Sequence, residues 1–172
     1  MRAIRFATNP IIRPDMDRRM GRNINGPSLI RAPEWLPNPL GRYYLYFGRH
    51  QGDYIRLAYA DRLEGPWRTH EPGTLPLAES FCHGHLASPD VHVDEARREI
   101  RMYYHGPSPG KGQVSRVALS SDGIRFAARP EILGASYFRV FQWRGQHYAL
   151  GMPGIFYKSA DGLSGFQQGP KL

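Results

Sequence analysis

ALSSDGIRF, residues 118–126, has two partners in the same chain: LAYADRLEGPW at 57–67 and YKSADGLSGF at 157–166. Each runs from a short strand into an Asp turn, then to an aliphatic residue and an aromatic one, with Asp61, Asp122 and Asp161 marking the turn. Upstream of each lies a strand that alternates aromatic with aliphatic residues after a turn residue: GRYYLYFG (41–48), REIRMYYHG (98–106) and RGQHYALG (144–151). A further strand precedes each of those: PSLIRAP (27–33), PDVHVD (89–94) and SYFRVFQW (136–143). The repeated unit is therefore a four-stranded antiparallel meander. The turn aspartates lie 61 and then 39 residues apart because HEPGTLPLAESFCHGHL (70–86) is inserted in the first interval. Units of roughly 40–50 residues with this content are the signature of propeller blades. A β-sandwich also uses short strands, but it does not require one turn chemistry to recur at one place.

Composition agrees with an all-β chain. The 19 Gly and 15 Pro supply frequent turns, the 12% aromatic content suits strands, and no stretch carries a clean 3.6-residue apolar stripe. A length of 172 residues predicts one domain. It contains three blades, at about 23–70, 86–128 and 135–168, with Pro27, Pro89 and Ser136 near the starts of the innermost strands.

Charge and cysteine usage narrow the function classes. The formal net charge is +8, but the arginines are scattered singly or in pairs. The one cluster, Arg13–Arg22, also holds Asp15 and Asp17 and has no base-reading helix or stacking platform beside it, so nucleic acid is not an expected partner. Cys82 stands alone, which excludes an internal disulfide and suits a reducing compartment. The N-terminus has no apolar stretch of secretory type, and no run approaches the ~20 residues that span a bilayer. The expectation is a soluble cytoplasmic protein without a membrane partner.

Chemistry-bearing residues concentrate in HGHLASPDVHVD (83–94), with three histidines and two carboxylates. The alternation Val91–His92–Val93 reads as a strand that puts Asp90, His92 and Asp94 on one side. A carboxylate beside imidazoles that titrate near neutrality suits acid–base work or the binding of sugar hydroxyls. His83 and His85 with His92 and Asp90 lack the fixed spacing of a metal site, so no metal or cofactor is expected. Arg139, among the aromatics of YFRVF, offers a planar donor fork for a carboxylate or for sugar hydroxyls. His50 ends a strand where its loop can reach a channel mouth.

From about Asn23 onward, NGPSLI, GRYYLYFG, YIRLAYADRLEGPW, SPDVHVD, IRMYYHG, SSDGIRF and SADGLSGF follow one another in an order that resembles the five-bladed β-propeller glycoside hydrolases, the superfamily that includes glycoside hydrolase family 43. The resemblance implies an active site at one end of a central channel. It implies a catalytic-base Asp before Pro in blade one, an Asp before Pro that tunes the acid in blade two, and a general-acid Glu in blade three. This chain departs from that pattern at each point. Gly26 precedes Pro27, Ser88 precedes Pro89, and blade three offers Ser136, Tyr137 and Arg139 but no Glu.

Asp90, two residues after Ser88 and expected on the same strand face, and Asn25, just before Gly26, are the substitutes that the sequence offers. A histidine among His50, His83, His85 and His92 can stand in for the missing acid. The resulting expectation is a glycosidase-type, carbohydrate-active propeller with Asp90 as the acidic group and Asn25, His50, His85, His92 and Arg139 as ligand contacts. The alternative is a non-catalytic carbohydrate-binding or structural propeller. Three blades do not close a ring of five, so the chain is expected to be a fragment, or a short form that covers the apolar faces of blades one and three by self-association.

Overall fold

The run YYLYF, rich in aromatics and lying between Gly41 and Gly48, suits a strand buried on both faces, since successive side chains of a strand point to opposite sides. It forms the core of β2, Tyr43–Gly48, in the computed structural model, which describes residues 2–20 and 23–172. Of the arginine cluster, Gly21 and Arg22 lie outside the described residues.

Among the described residues, thirteen strands make three antiparallel sheets. The first is β1 (Asn25–Arg31), β2, β3 (Arg56–Ala60) and β4 (Arg68–His70), paired in chain order. The second runs β5 (Ala87–Asp94), β6 (Glu99–Ser108), β7 (Gly112–Ser120) and β8 (Ala127–Ala128), and short β9 (Gly134–Ala135) joins the free part of β7. The third is β10 (Arg139–Trp143), β11 (Gln146–Gly151), β12 (Ile155–Ser159) and β13 (Gln167–Lys171). The described helix is a single 3₁₀ turn, Leu77–Glu79, and no helix among the described residues is long and apolar enough to cross a membrane. The third inner strand starts at Arg139 rather than near Ser136. Ala135 is still paired with Val114 of the second sheet, and Tyr137 turns the backbone through a φ of +61°.

Alternation along β2 assigns its two faces. Tyr44 and Tyr46 pack with Val91, Ile100 and Met102 of the second sheet, whereas Leu45 and Phe47 pack with Ala58, Trp67 and Met20. Ile11, Ile12 and Met16 complete that second cluster, so the segment before β1 covers the outer face of the first sheet. This corrects the expectation of an uncovered blade one. Between the second and third sheets the core is Tyr103, Val117, Phe138, Val140 and Tyr157. The far face of the third sheet exposes Phe141, Trp143, Leu150 and Met152.

Tyrosine hydroxyls stitch successive sheets together. Tyr46 donates to the Gly123 carbonyl at 2.7 Å, and Tyr103, at the matching place in β6, donates to the Gly162 carbonyl at 2.8 Å. Both acceptors belong to the Asp-Gly turn of the following sheet, where φ values of +72° and +71° favour glycine. The two turns share one wiring. Ser120 and Ser159 Oγ accept the N–H groups of Gly123 and Gly162, and Asp122 and Asp161 Oδ1 each accept the next two N–H groups. Asp61 does not repeat it, because Tyr59 and Arg62 replace the serine and the glycine, and its carboxylate accepts Arg42 N–H instead.

Burial pushes the Asp161 carboxyl up, but the Leu163 and Ser164 N–H groups and the Ser159 and Ser164 hydroxyls outweigh it and hold the pKa at about 2. Asp122 is lowered in the same way, with burial again opposed by the N–H groups of Arg125 and Ile124 and by the Ser120 hydroxyl. A carboxyl whose folded pKa lies below its ordinary 3.8 stabilises the fold above that pH and loses the contribution as pH falls. The contribution of these turns to the urea midpoint is therefore expected to be lost between about pH 4 and 2. In Asp161→Asn the acid-side drop should be smaller than in the parent; an equal drop would show that the turn does not carry it.

Candidate active site

The same backbone device opens each inner strand. Gly26, Ser88 and Tyr137 take φ values of +58°, +50° and +61°, each two residues before the first regular pairing of its strand: Ser28 with Tyr46, Asp90 with Tyr103, Arg139 with Leu150. Positive φ in a serine and a tyrosine is unusual, and strain of this kind collects at functional sites. These three residues converge on one cavity of about 280 Å³, at the ends of the inner strands.

Around that cavity the sequence assembles side chains from distant places. Asn25 comes from β1, and His50 from the loop after β2. His85 comes from the 70–86 insertion, which is anchored where His83 N–H donates to Pro107 O and Leu86 N–H to Gly52 O. Arg139 comes from β10, with Nη1 donating to the carbonyls of Ser88 (3.2 Å), Pro89 (3.4 Å) and Phe138 (3.3 Å). Four of the expected contacts, Asn25, His50, His85 and Arg139, thus meet in one place.

His105, Gln113 and Tyr137 line the cavity as well and were not anticipated as site residues. His105 is only 2% exposed, its ring lies 4.1 Å from that of Tyr137, and its Nδ1 has no hydrogen-bond partner. Burial first, then the neighbouring His85 and Arg139, lower its pKa to about 4. The signal for it was present in REIRMYYHG, because a period of two puts Arg101, Tyr103 and His105 on the face turned toward the third sheet.

Asp90 and His92 lie elsewhere. The pairing of β5 with β6 is irregular between Ala87 and Asp90, so Ser88 and Asp90 do not share a face as simple alternation predicts. Ser88 lines the cavity, whereas Asp90 Oδ2 accepts Val140 N–H of the third sheet at 2.7 Å and lies 3.0 Å from His92 Nε2. Ser28, at the equivalent point in β1, makes the equivalent contact by accepting Val91 N–H of the second sheet at 2.9 Å. His92 lines a separate cavity of about 440 Å³ between the second and third sheets, with Asp94, Arg101, Gln142 and His147. His83 is exposed and belongs to neither. No group of three or more His, Cys, Asp or Glu placed to hold a metal ion occurs among the described residues.

Three consecutive sheets, each built on a four-stranded meander and joined by equivalent inter-sheet contacts, with a polar cavity at the ends of their inner strands, define part of a β-propeller. Its solved counterparts are five-bladed propeller glycoside hydrolases of families 43 and 117. A family 117 glycoside hydrolase of the marine bacterium Zobellia galactanivorans is similar with a TM-score of 0.66 and 16% identity, over 87% of this chain and 46% of that one. An α-L-arabinofuranosidase from Clostridium thermocellum is similar with a TM-score of 0.59 and 20% identity, over 86% and 50% of the two chains. A family 43 β-xylosidase/α-arabinofuranosidase from a compost metagenome, solved with xylotriose, gives 0.60 and 15%, over 77% and 43%. In sequence, the chain is 35% identical over 189 residues to the uncharacterized protein R118 of Acanthamoeba polyphaga mimivirus, across 96% of this chain and 53% of that protein. It therefore spans about half the length of these relatives. No protein-family profile matches it.

Proposed function

We propose that this chain is part of a carbohydrate-active propeller that binds sugar in the inner-strand cavity through Asn25, His50, His85 and Arg139, and that binding rather than hydrolysis is what this part of the site performs. The carrying observation is that Gly26, Ser88 and Tyr137 converge on a cavity whose described lining contains no Asp or Glu. Inverting and retaining glycosidases both work with a pair of carboxyl groups, about 6.5–9.5 Å or 5–5.5 Å apart, flanking the bond to be cut. The xylotriose held by one structural neighbour supports sugar as the ligand class.

Hydrolysis with Asp90 as the acidic group is the second reading, favoured by the 3.0 Å contact between Asp90 Oδ2 and His92 Nε2. Titration with xylotriose and β-1,3-galactotriose, with product analysis, separates the two. On the binding reading Asp90→Ala leaves sugar affinity unchanged. It lowers the thermal midpoint, because Val140 N–H loses its acceptor, a loss of about 1–3 kcal/mol. Products that appear with the parent and vanish in Asp90→Asn, at an unchanged midpoint, would overturn the binding reading in favour of the second.

A further inference from the structure

We propose that the same cavity selects an acidic sugar, taking an anionic oxygen group, carboxylate or phosphate, onto Arg139; the inference rests on the sugar-binding reading and adds the class of ligand.

Charge makes the first argument. Arg139 is the one permanently charged side chain in the described lining, and its companions His50, His85 and His105 are imidazoles with no carboxylate opposite them. Ion pairs in this molecule show what an arginine does when an acid is available: Arg101 meets Asp94 and Glu99, and Arg97 meets Asp94. Arg139 has no such partner among the described residues.

Geometry makes the second. All three hydrogen bonds of Arg139 use Nη1, which fixes the guanidinium on the backbone of β5 and β10, while Nε and Nη2 take part in none of them. An anchored guanidinium with one edge unused is the arrangement that grips a planar or tetrahedral oxyanion with two parallel N–H groups.

Unused buried polar atoms make the third. His105, 98% buried, keeps Nδ1 without a partner, and Asn25 keeps Oδ1 buried and without one while its Nδ2 donates to Asn23. A buried polar atom of this kind signals a missing partner. Asn25 Oδ1 accepts, which suits a sugar hydroxyl, and the imidazole and the guanidinium supply donors for the acidic group.

The test uses matched probes on the protein at neutral pH: oligogalacturonate, its carboxyl-reduced neutral counterpart, and inorganic phosphate. Expected is about a tenfold or greater preference for the uronate over the neutral sugar, abolished in Arg139→Gln and partly kept in Arg139→Lys. Because Arg139→Gln also loses the contacts to Ser88 and Pro89, His50→Gln on the exposed loop serves as a second variant, expected to weaken uronate binding at an unchanged thermal midpoint. A readout on the unaltered protein is the His105 ring titrated by NMR. Its facing titratable and charged groups are His50, His85, Tyr137 and Arg139, and a bound anion should raise its pKa from about 4.

Phosphate that binds alongside the neutral sugar and raises the same pKa supports the anion site with phosphate as its occupant. Equal affinity for uronate and neutral sugar without a phosphate effect overturns the acidic-sugar inference and leaves sugar binding standing. Phosphate binding without affinity for either sugar supports the anion site and overturns the sugar reading, and no binding of any probe overturns both.

Discussion

Arg101→Met is expected to lose about 3 kcal/mol of stability, one of the two largest effects of any single substitution proposed for this chain. The guanidinium is 2% exposed and spends each of its nitrogens. Nε donates to Glu99 at 3.0 Å, Nη2 to Asp94 at 2.9 Å, and Nη1 to the Asp161 carbonyl at 2.7 Å. It thereby joins β5 and β6 to the Asp-Gly turn of the third sheet. Removing one member of a buried ion network costs about 3–5 kcal/mol, because the groups left behind lose their partner without regaining water. The lower end applies here, since the Asp94 and Glu99 side chains keep 16% and 23% exposure and rehydrate in part. Methionine preserves the stem's volume and so isolates the polar loss. Lysine should rescue poorly, since one ammonium cannot serve three directions. Urea unfolding at neutral pH reads the result, and a loss under 1 kcal/mol would show that the network is ornamental.

Gly26→Ala is expected to cost about 2–4 kcal/mol, or roughly 5–15 °C in thermal midpoint for a chain of this size. The left-handed backbone at φ +58° is the smaller part, because Ser88 and Tyr137 bear the same conformation in the other sheets with side chains attached. The larger part is contact. A Cβ on Gly26 meets Ser88 Cα at 2.7 Å, and a backbone atom of an inner strand cannot swing aside as a side chain does. Ser88→Gly in the same molecule should therefore fail to restore the midpoint, since it removes the Ser88 side-chain atoms and leaves Cα in place. Full rescue by that second change would locate the clash in the Ser88 side chain instead.

Repetition makes the fold legible in the sequence. The recurring Asp turns and the doubly apolar YYLYF imposed meanders of four strands packed face to face, and the sheets follow in that order. What alternation could not carry was the interruption at Ser88. A single residue at φ +50° shifts the register, so that a period-two reading from Ser88 to Asp90 turns the carboxylate toward the wrong neighbour. The cavity was legible only in pieces. Asn25, His50, His85 and Arg139 are scattered over more than a hundred residues, and each is legible on a different ground: Asn25 beside the Gly26 that stands at the family's base position, His50 at the end of its strand, His85 in the histidine cluster, and Arg139 among the aromatics of its strand. His105 went unnoticed because a histidine at the end of an aromatic strand reads as core, and only its stacking on Tyr137 from another sheet brings it to the cavity wall. The cover over the first sheet was also missed, since Ile11, Ile12 and Met16 follow no strand or helix period.

The tyrosine stitches give the molecule a direction in time. The Tyr46 hydroxyl finds its acceptor 77 residues downstream, and Tyr103 finds its own 59 residues on. On a ribosome adding about 5–20 residues per second, Tyr46 waits roughly 4–15 s before Gly123 is even made. The first and second sheets emerge unfinished and are each completed by the sheet synthesised next, so the second cannot settle its own Tyr103 face until the third has left the exit tunnel.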